Sequence, residues 1–253
     1  MPEPIEIATA AARKAGQLLR DNYSTDLKVD EMAAYDIKLA LDVQSQDLIT
    51  EVLLNAFPDH AIFGEEGIAG NQESDFQWIV DPIDGTVNYY YGIPHFCVSI
   101  ALRENGVIRT GVIYDPMLDE LWAVEKGQTP TLNGKEISCS QRDEMSEAVV
   151  TIGFSKSKES MDAGFKRFQE IAYTVRKTRM MGSAALAMAY ICCGRLDAYI
   201  EEQISLWDIA AGKLLVEEAG GRVNLVPNPI APGKESICAF NGKLPLGHVF
   251  ATD

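Results

Sequence analysis

Residues 78–92 of this 253-residue chain read WIVDPIDGTVNYYYG, and no other stretch restricts the fold as much. Trp78, Ile79 and Val80 are apolar at consecutive positions, which suits a strand covered on both faces rather than one alternating between core and water. The chain then leaves the core on an acid, Asp81. Pro82 excludes a regular helix through Asp81 and Asp84, leaving a turn in which residues 81, 83 and 84 can point oxygens inward together. The same two carboxylates could instead do no more than close an Asx-turn on local backbone N–H groups.

Periodicity supplies the layers around this strand. Ile5, Ala8, Ala12, Ala15 and Leu19 recur every three or four residues and predict an amphipathic helix over 5–19. A second helix is expected over 45–57, with Leu48, Ile49, Val52 and Leu53 inward and Pro58 stopping it. Residues 61–64 form a short apolar strand that ends on Glu65 and Glu66. Asn105-Gly106 and Asn133-Gly134 each join two β-rich runs and predict tight hairpins, hence antiparallel pairing. Beyond a strand at 148–152, helices (161–173, 183–193, 206–219) alternate with strands (197–201, 221–226). The first half therefore reads as α+β and the second as α/β. The polar run SQRDEMSE at 140–147 is the best boundary, giving closely packed parts at 1–145 and 146–253.

Asp and Glu number 37 against 22 Lys and Arg, a net charge of −15. Such a chain repels polyanions, so no nucleic acid is expected as a partner. An anionic substrate would have to be drawn by a bound cation instead. The five cysteines show neither CxxC nor Cys/His spacing and are expected to be reduced and mostly buried. The N-terminus has no apolar leader segment, and no apolar run reaches membrane length, so no membrane association is expected and the cytoplasm is the expected location.

The acids gain meaning from where they stand. Asp81 and Asp84 follow one strand, Glu65 and Glu66 close another, and Asp208 stands beside Trp207 where a helix begins. Asp208 could simply complement the helix dipole, worth roughly 0.3–1 kcal/mol. If the acids converge, their repulsion needs compensation, and carboxylates with a backbone carbonyl and waters are the ligands Mg²⁺ takes. Zinc fits less well, for want of a Cys/His cluster. Gly85-Thr86 would let the backbone approach a phosphate where a short helix opens. Carboxylates, a divalent metal and a phosphate cradle together make metal-assisted phosphate ester hydrolysis.

These residues also resemble a known family. GEE at 64–66, WIVDPIDGT at 78–86 and WDIAAGKLLVEEAGG at 207–221 look like the paired signatures of the inositol monophosphatase family, within the lithium-sensitive, metal-dependent phosphatases that include fructose-1,6-bisphosphatases. The resemblance runs from the first helix to about Val226 and implies a layered α-β-α-β-α sandwich. It implies two or three Mg²⁺ ions: a first held by Glu65, Asp81 and the Ile83 carbonyl, a second by Asp81, Asp84 and Asp208, and a weaker third leaning on Glu65. Thr86 with Glu65 would orient the water, and Asp42 would hydrogen-bond Thr86. Asp84, Gly85, Thr86, the small residues Gly182, Ser183 and Ala184, and Glu201 would meet the substrate, a small-molecule phosphate ester with inositol-1-phosphate first. Fructose-1,6-bisphosphate is the alternative, with Arg179 near enough to offer a second cation. A catalytically silent homologue is the remaining reading, and it sits poorly with a full ligand set. The family pattern further implies a homodimer. The chain departs from the family over 31–42: YDIKLALD keeps Asp36 and Asp42, but Glu31 replaces a common lysine. Lys38 could restore that charge or be a surface residue.

Overall fold

The computed structural model describes residues 2–25, 27–33, 36–154, 158–229 and 231–251, and the side chains of residues 32–36 lie outside the description. From the N-terminus, helix α1 (Pro4–Asn22) precedes an antiparallel pair, β1 (Val29–Ala33) and β2 (Asp36–Leu39), and helix α2 (Ala40–Ala56). Then follow β3 (Ala61–Gly64), β4 (Gly67–Gly70), β5 (Phe76–Asp84), α3 (Thr86–Tyr90), β6 (Cys97–Glu104), β7 (Val107–Asp115), β8 (Glu120–Glu125), β9 (Thr131–Leu132) and β10 (Lys135–Glu136). These strands form one sheet in the order β10-β9-β8-β7-β6-β5-β3-β4, antiparallel except for the parallel pair β3 and β5. The rest of the chain gives β11 (Val149–Ile152), α4 (Lys158–Ala172), β12 (Lys177–Arg179), α5 (Ala184–Cys192), β13 (Ala198–Ile204), α6 (Leu206–Glu218), β14 (Arg222–Pro227) and β15 (Glu235–Phe240). Its sheet has the order β12-β11-β13-β15-β14, with parallel pairs only on either side of β11.

Side-chain alternation decides how the layers stack. Trp78 and Val80 point to the core under α1 and α2, whereas Ile79 points to the opposite core, filled by α5 and α6. Burying one such Ile or Val is worth roughly 1.5–3 kcal/mol, so the continuous apolar run is stable because both faces of the sheet are covered. Helices α5 and α6 lie between the two sheets, and this explains why α5 is buried on nearly every side and has no polar face. Gly212 lets them approach, since a Cβ there would meet Met188 Cβ at 2.7 Å. Helix α4 and the chain end around Leu244, Leu246 and Val249 cover the outer face of the second sheet. The result is the α-β-α-β-α sandwich.

Both Asn-Gly hairpins form, with Asn105 and Gly106 at φ 48° and 81° and Asn133 and Gly134 at 49° and 75°, the left-handed pair a type I′ turn requires. Helix α2 starts five residues before the expected Ser45, because Asp42 Oδ2 accepts the Leu39 N–H at 2.7 Å and caps the helix from inside. Leucine at the cap position gave no local signal for that start. Strands β1, β2, β4, β8, β12 and β15 go beyond the sequence-based expectation. In β4, Gly67-Ile68-Ala69-Gly70 has little strand propensity of its own and forms by pairing with β3. Cys97, Cys139, Cys192 and Cys238 are buried thiols and Cys193 is half-buried. Among the described residues no helix is long and apolar enough to cross a membrane.

Candidate active site

Strand register brings the acids together. Asp81 pairs with Ser99 and Asp84 with Cys97, so β5 spends three residues where β6 spends two. In a regular strand, residues three apart face opposite sides. The extra residue at Pro82-Ile83 is a bulge that puts Asp81 and Asp84 on the same face, the one directed at α5 and α6. Both lie almost wholly out of water, at 1% and 8% exposed. Parallel pairing of Gly64 with Val80 then sets Glu65 beside Asp81, with the Glu65 N–H donating to Val80 O at 3.1 Å. Asp208 enters from the helix layer between the sheets, on the first turn of α6, and its carboxyl shares a hydrogen bond with Asp81.

Each acid also does the plain local work that the sequence left open. Asp81 Oδ1 accepts the Ile83 N–H at 3.1 Å, an Asx-turn. Asp208 Oδ2 accepts the Ser205 N–H at 2.8 Å and closes a capping box. Asp84 caps α5: Oδ2 accepts from Ser183 Oγ at 2.5 Å and Ala185 N at 2.6 Å, and Oδ1 from Ala184 N at 3.2 Å. The Cys97 thiol lies 3.7 Å from Asp84 Oδ2. Ser183 and Ala184 thus orient Asp84 from behind.

Local bonds do not cancel the repulsion. Burial, then the charges of Glu65, Asp84 and Asp208, hold the Asp81 carboxyl well above the usual range. Burial and Asp208 push Asp84 up to about 7 despite its three donors. Asp42 is likewise pushed up to about 7, chiefly by burial. Among the described residues no three His, Cys, Asp or Glu side chains are arranged as a finished set of metal ligands. What the structure does show is an all-oxygen cluster in which burial and neighbouring charge hold Asp81 and Asp84 above the usual carboxylate range, the electrostatic situation a hard divalent cation relieves. The donor set fits Mg²⁺.

The acids floor a cleft made of two adjoining cavities of about 400 and 500 Å³, with Glu65, Thr86, Phe154, Glu201, Ile204 and Asp208 common to both. Gly85, at φ 100°, is the cap of α3; a Cβ there would meet His95 O at 3.0 Å and Gly182 O at 3.2 Å. Thr86 Oγ1 donates to Ile83 O at 2.9 Å, while its distance to Asp42 Oδ1 is 3.5 Å, so the expected Asp42 bond is the weaker one. Gly182 lies against the Asn88 amide and lines the larger cavity. Glu201 reaches the cleft at a bulge of β13 and accepts from Tyr199 OH at 2.5 Å. Arg179 is exposed, donates to Thr178 O, and is absent from the described lining of either cavity, so the second cation expected of it is not placed there.

Lys38 is tied into the cleft wall. Its ammonium meets the buried Glu66 carboxylate at 2.6 Å, and it pairs across the β1–β2 ladder with Glu31. The Asp36 side chain lies outside the described residues. Sequence reasoning missed Lys234, which donates to Ser205 Oγ and sits 5.0 Å from the centre of the Trp207 ring, at the cleft wall. No local pattern marks it.

Residues 1–240 match the Inositol monophosphatase family. A protein named Nus factor SuhB from Pasteurella multocida is 37% identical over 98% of this chain and 88% of its own length. Inositol monophosphatase 2 of Solanum lycopersicum is 38% identical over 88% of this chain and 87% of its own. Among solved structures, the extragenic suppressor protein suhB of Bartonella henselae superposes with a TM-score of 0.86 at 34% identity, covering 94% of this chain and 93% of that one. The inositol monophosphatase of Anabaena gives 0.81 at 38%, covering 94% and 90%.

Proposed function

Because the chain belongs to the inositol monophosphatase family, we propose that it is a Mg²⁺-dependent phosphatase of small sugar or polyol phosphate monoesters, inositol-1-phosphate first, working with two or three ions. The observation that carries this reading is the bulge that turns Asp81 and Asp84 onto one face, opposite Asp208 and beside Glu65. Glu65, Asp81 and the Ile83 carbonyl are suited to hold one ion, and Asp81, Asp84 and Asp208 a second. Magnesium at such a site supplies neutralisation of phosphoryl charge and lowers the pKa of water. Thr86 spends its hydroxyl proton on Ile83 O, which leaves its oxygen to accept from the attacking water while Glu65 takes up the developing proton. Gly85 and Thr86 offer backbone N–H groups to the phosphate, and Gly182, Ser183 and Ala184 bound the substrate on the far side. Glu201 accepts from ring hydroxyls.

Fructose-1,6-bisphosphate remains second. Its other phosphate would need Lys38 or Lys234 in place of Arg179, and Lys38 already serves Glu66. The name Nus factor belongs to several relatives, but a net charge of −15 opposes direct contact of this chain with a polyanion. Phosphate release from inositol-1-phosphate, fructose-1,6-bisphosphate, histidinol phosphate and adenosine 3′,5′-bisphosphate, each with and without Mg²⁺, tests the reading. Turnover that survives exhaustive chelation, or none with any ester, overturns it.

A further inference from the structure

The larger cavity has two unlike sides. Its floor is the carboxylate cluster, whereas an apolar wall is supplied by Phe154, Met161 of α4, Met180 and Met181 after β12, and Val87 of α3. Met180 is 66% exposed and Val87 41%, so this apolar surface is open to whatever enters. Polar groups on that side are largely engaged. Asn88 Nδ2 donates to His95 O at 2.8 Å and Met181 O at 2.9 Å, and Thr151 is buried.

We propose that this wall gives the site a further activity, on phosphate monoesters whose leaving alcohol carries an aromatic or similarly apolar face, with the phosphate on the carboxylate side and the flat face against Met161, Met180 and Phe154. The inference rests on the phosphatase reading and adds a second substrate class at the same site. A polyol finds its polar partner in Glu201, which lines the same cavity, and none in the thioethers or the phenyl group. An aromatic face loses nothing polar and meets polarisable sulfur, whose contact with ring edges is favourable. Three methionines also adapt their shape to the guest, so the wall accepts the class rather than one molecule.

The test compares esters of unactivated alcohols, so that leaving-group chemistry does not decide the outcome: phenethyl phosphate, glycerol phosphate and inositol-1-phosphate. Phenethyl phosphate is expected to exceed glycerol phosphate in kcat/KM by about tenfold, the effect of roughly 50 Å² of apolar contact. Met161→Gln combined with Met180→Gln, close in volume, should erase that advantage and leave glycerol phosphate within about twofold. A readout independent of turnover is saturation transfer from the metal-free protein to phenethyl alcohol, present in wild type and lost in the double variant. Equal kcat/KM for the esters in wild type, or equal losses on all of them in the variant, overturns the proposal. No turnover of any ester would instead sink the phosphatase reading, and the alcohol-binding measurement would still judge the wall.

Discussion

Asp84→Asn should change the stability of the metal-free protein with a sign that depends on pH. The Asp84 carboxyl is pushed up to about 7 by burial and by Asp208, from an ordinary value of 3.8. An acid with a raised folded pKa binds more protons in the native state than in the unfolded one, so wild-type stability falls as pH rises from about 4 and levels off above about 7. The shift amounts to about 4 kcal/mol once both transitions are complete, and to about 1–2 kcal/mol near pH 5. Asparagine removes this penalty entirely. It has a cost of its own, however, because Asp84 Oδ2 accepts from Ser183 Oγ and Ala185 N. Ser183 can rotate its hydroxyl to accept from the new amide, but the Ala185 N–H then faces a donor, and a buried donor left unpaired costs roughly 1–3 kcal/mol. The balance is a variant about as stable as wild type, or slightly less so, near pH 5, and more stable by about 1–3 kcal/mol near pH 8. Urea unfolding in chelator at both pH values measures it. A variant destabilised equally at both would show that Asp84 is not strained by its neighbours, and the electrostatic case for a cation site would fail with it.

Chelation should abolish phosphate release and Mg²⁺ restore it, and, by the family resemblance, millimolar Li⁺ should inhibit; activity assays in the three conditions decide. Glu201→Gln should lower kcat/KM for a polyol phosphate by roughly 5- to 30-fold and leave p-nitrophenyl phosphate nearly unaffected, since only the former offers hydroxyls; equal losses on both would make Glu201 a structural acid. Lys38→Met leaves the Glu66 carboxylate, 5% exposed, without its ammonium, and should destabilise by about 1–2 kcal/mol, discounted for the 45% exposure of Lys38; unchanged urea midpoints would return Lys38 to the surface. The homodimer implied by the family predicts a light-scattering mass of twice the 27.8 kDa chain, and a monomer mass refutes it.

Much of the fold was readable because its causes are local. The unbroken run Trp78-Ile79-Val80 announced a sheet covered on both faces, and the Asn-Gly pairs announced hairpins, each through the conformation of a few adjacent residues. The site was legible by residue type at strand ends, but not by arrangement. Asp81 and Asp84 share a face only because β6 pairs with them two residues apart, and that register depends on residues 97 and 99. The donor that orients Asp84 lies 99 residues away, at the start of α5, and Asp208 comes from the first turn of α6.

The acids look like ordinary caps when taken one at a time. Asp81 closes an Asx-turn, Asp84 caps α5, and Asp208 closes a capping box on Ser205. Each of these bonds favours the ionised carboxylate and, acting alone, would lower its pKa. The raised values of Asp81 and Asp84 therefore require burial and mutual repulsion to outweigh the local bonds, which happens only after the bulge and the two helix starts have brought the charges together. Capping and metal binding are then not rival explanations of these residues. The caps fix where the carboxylates stand, and the repulsion between them is free energy that a divalent ion would release on binding.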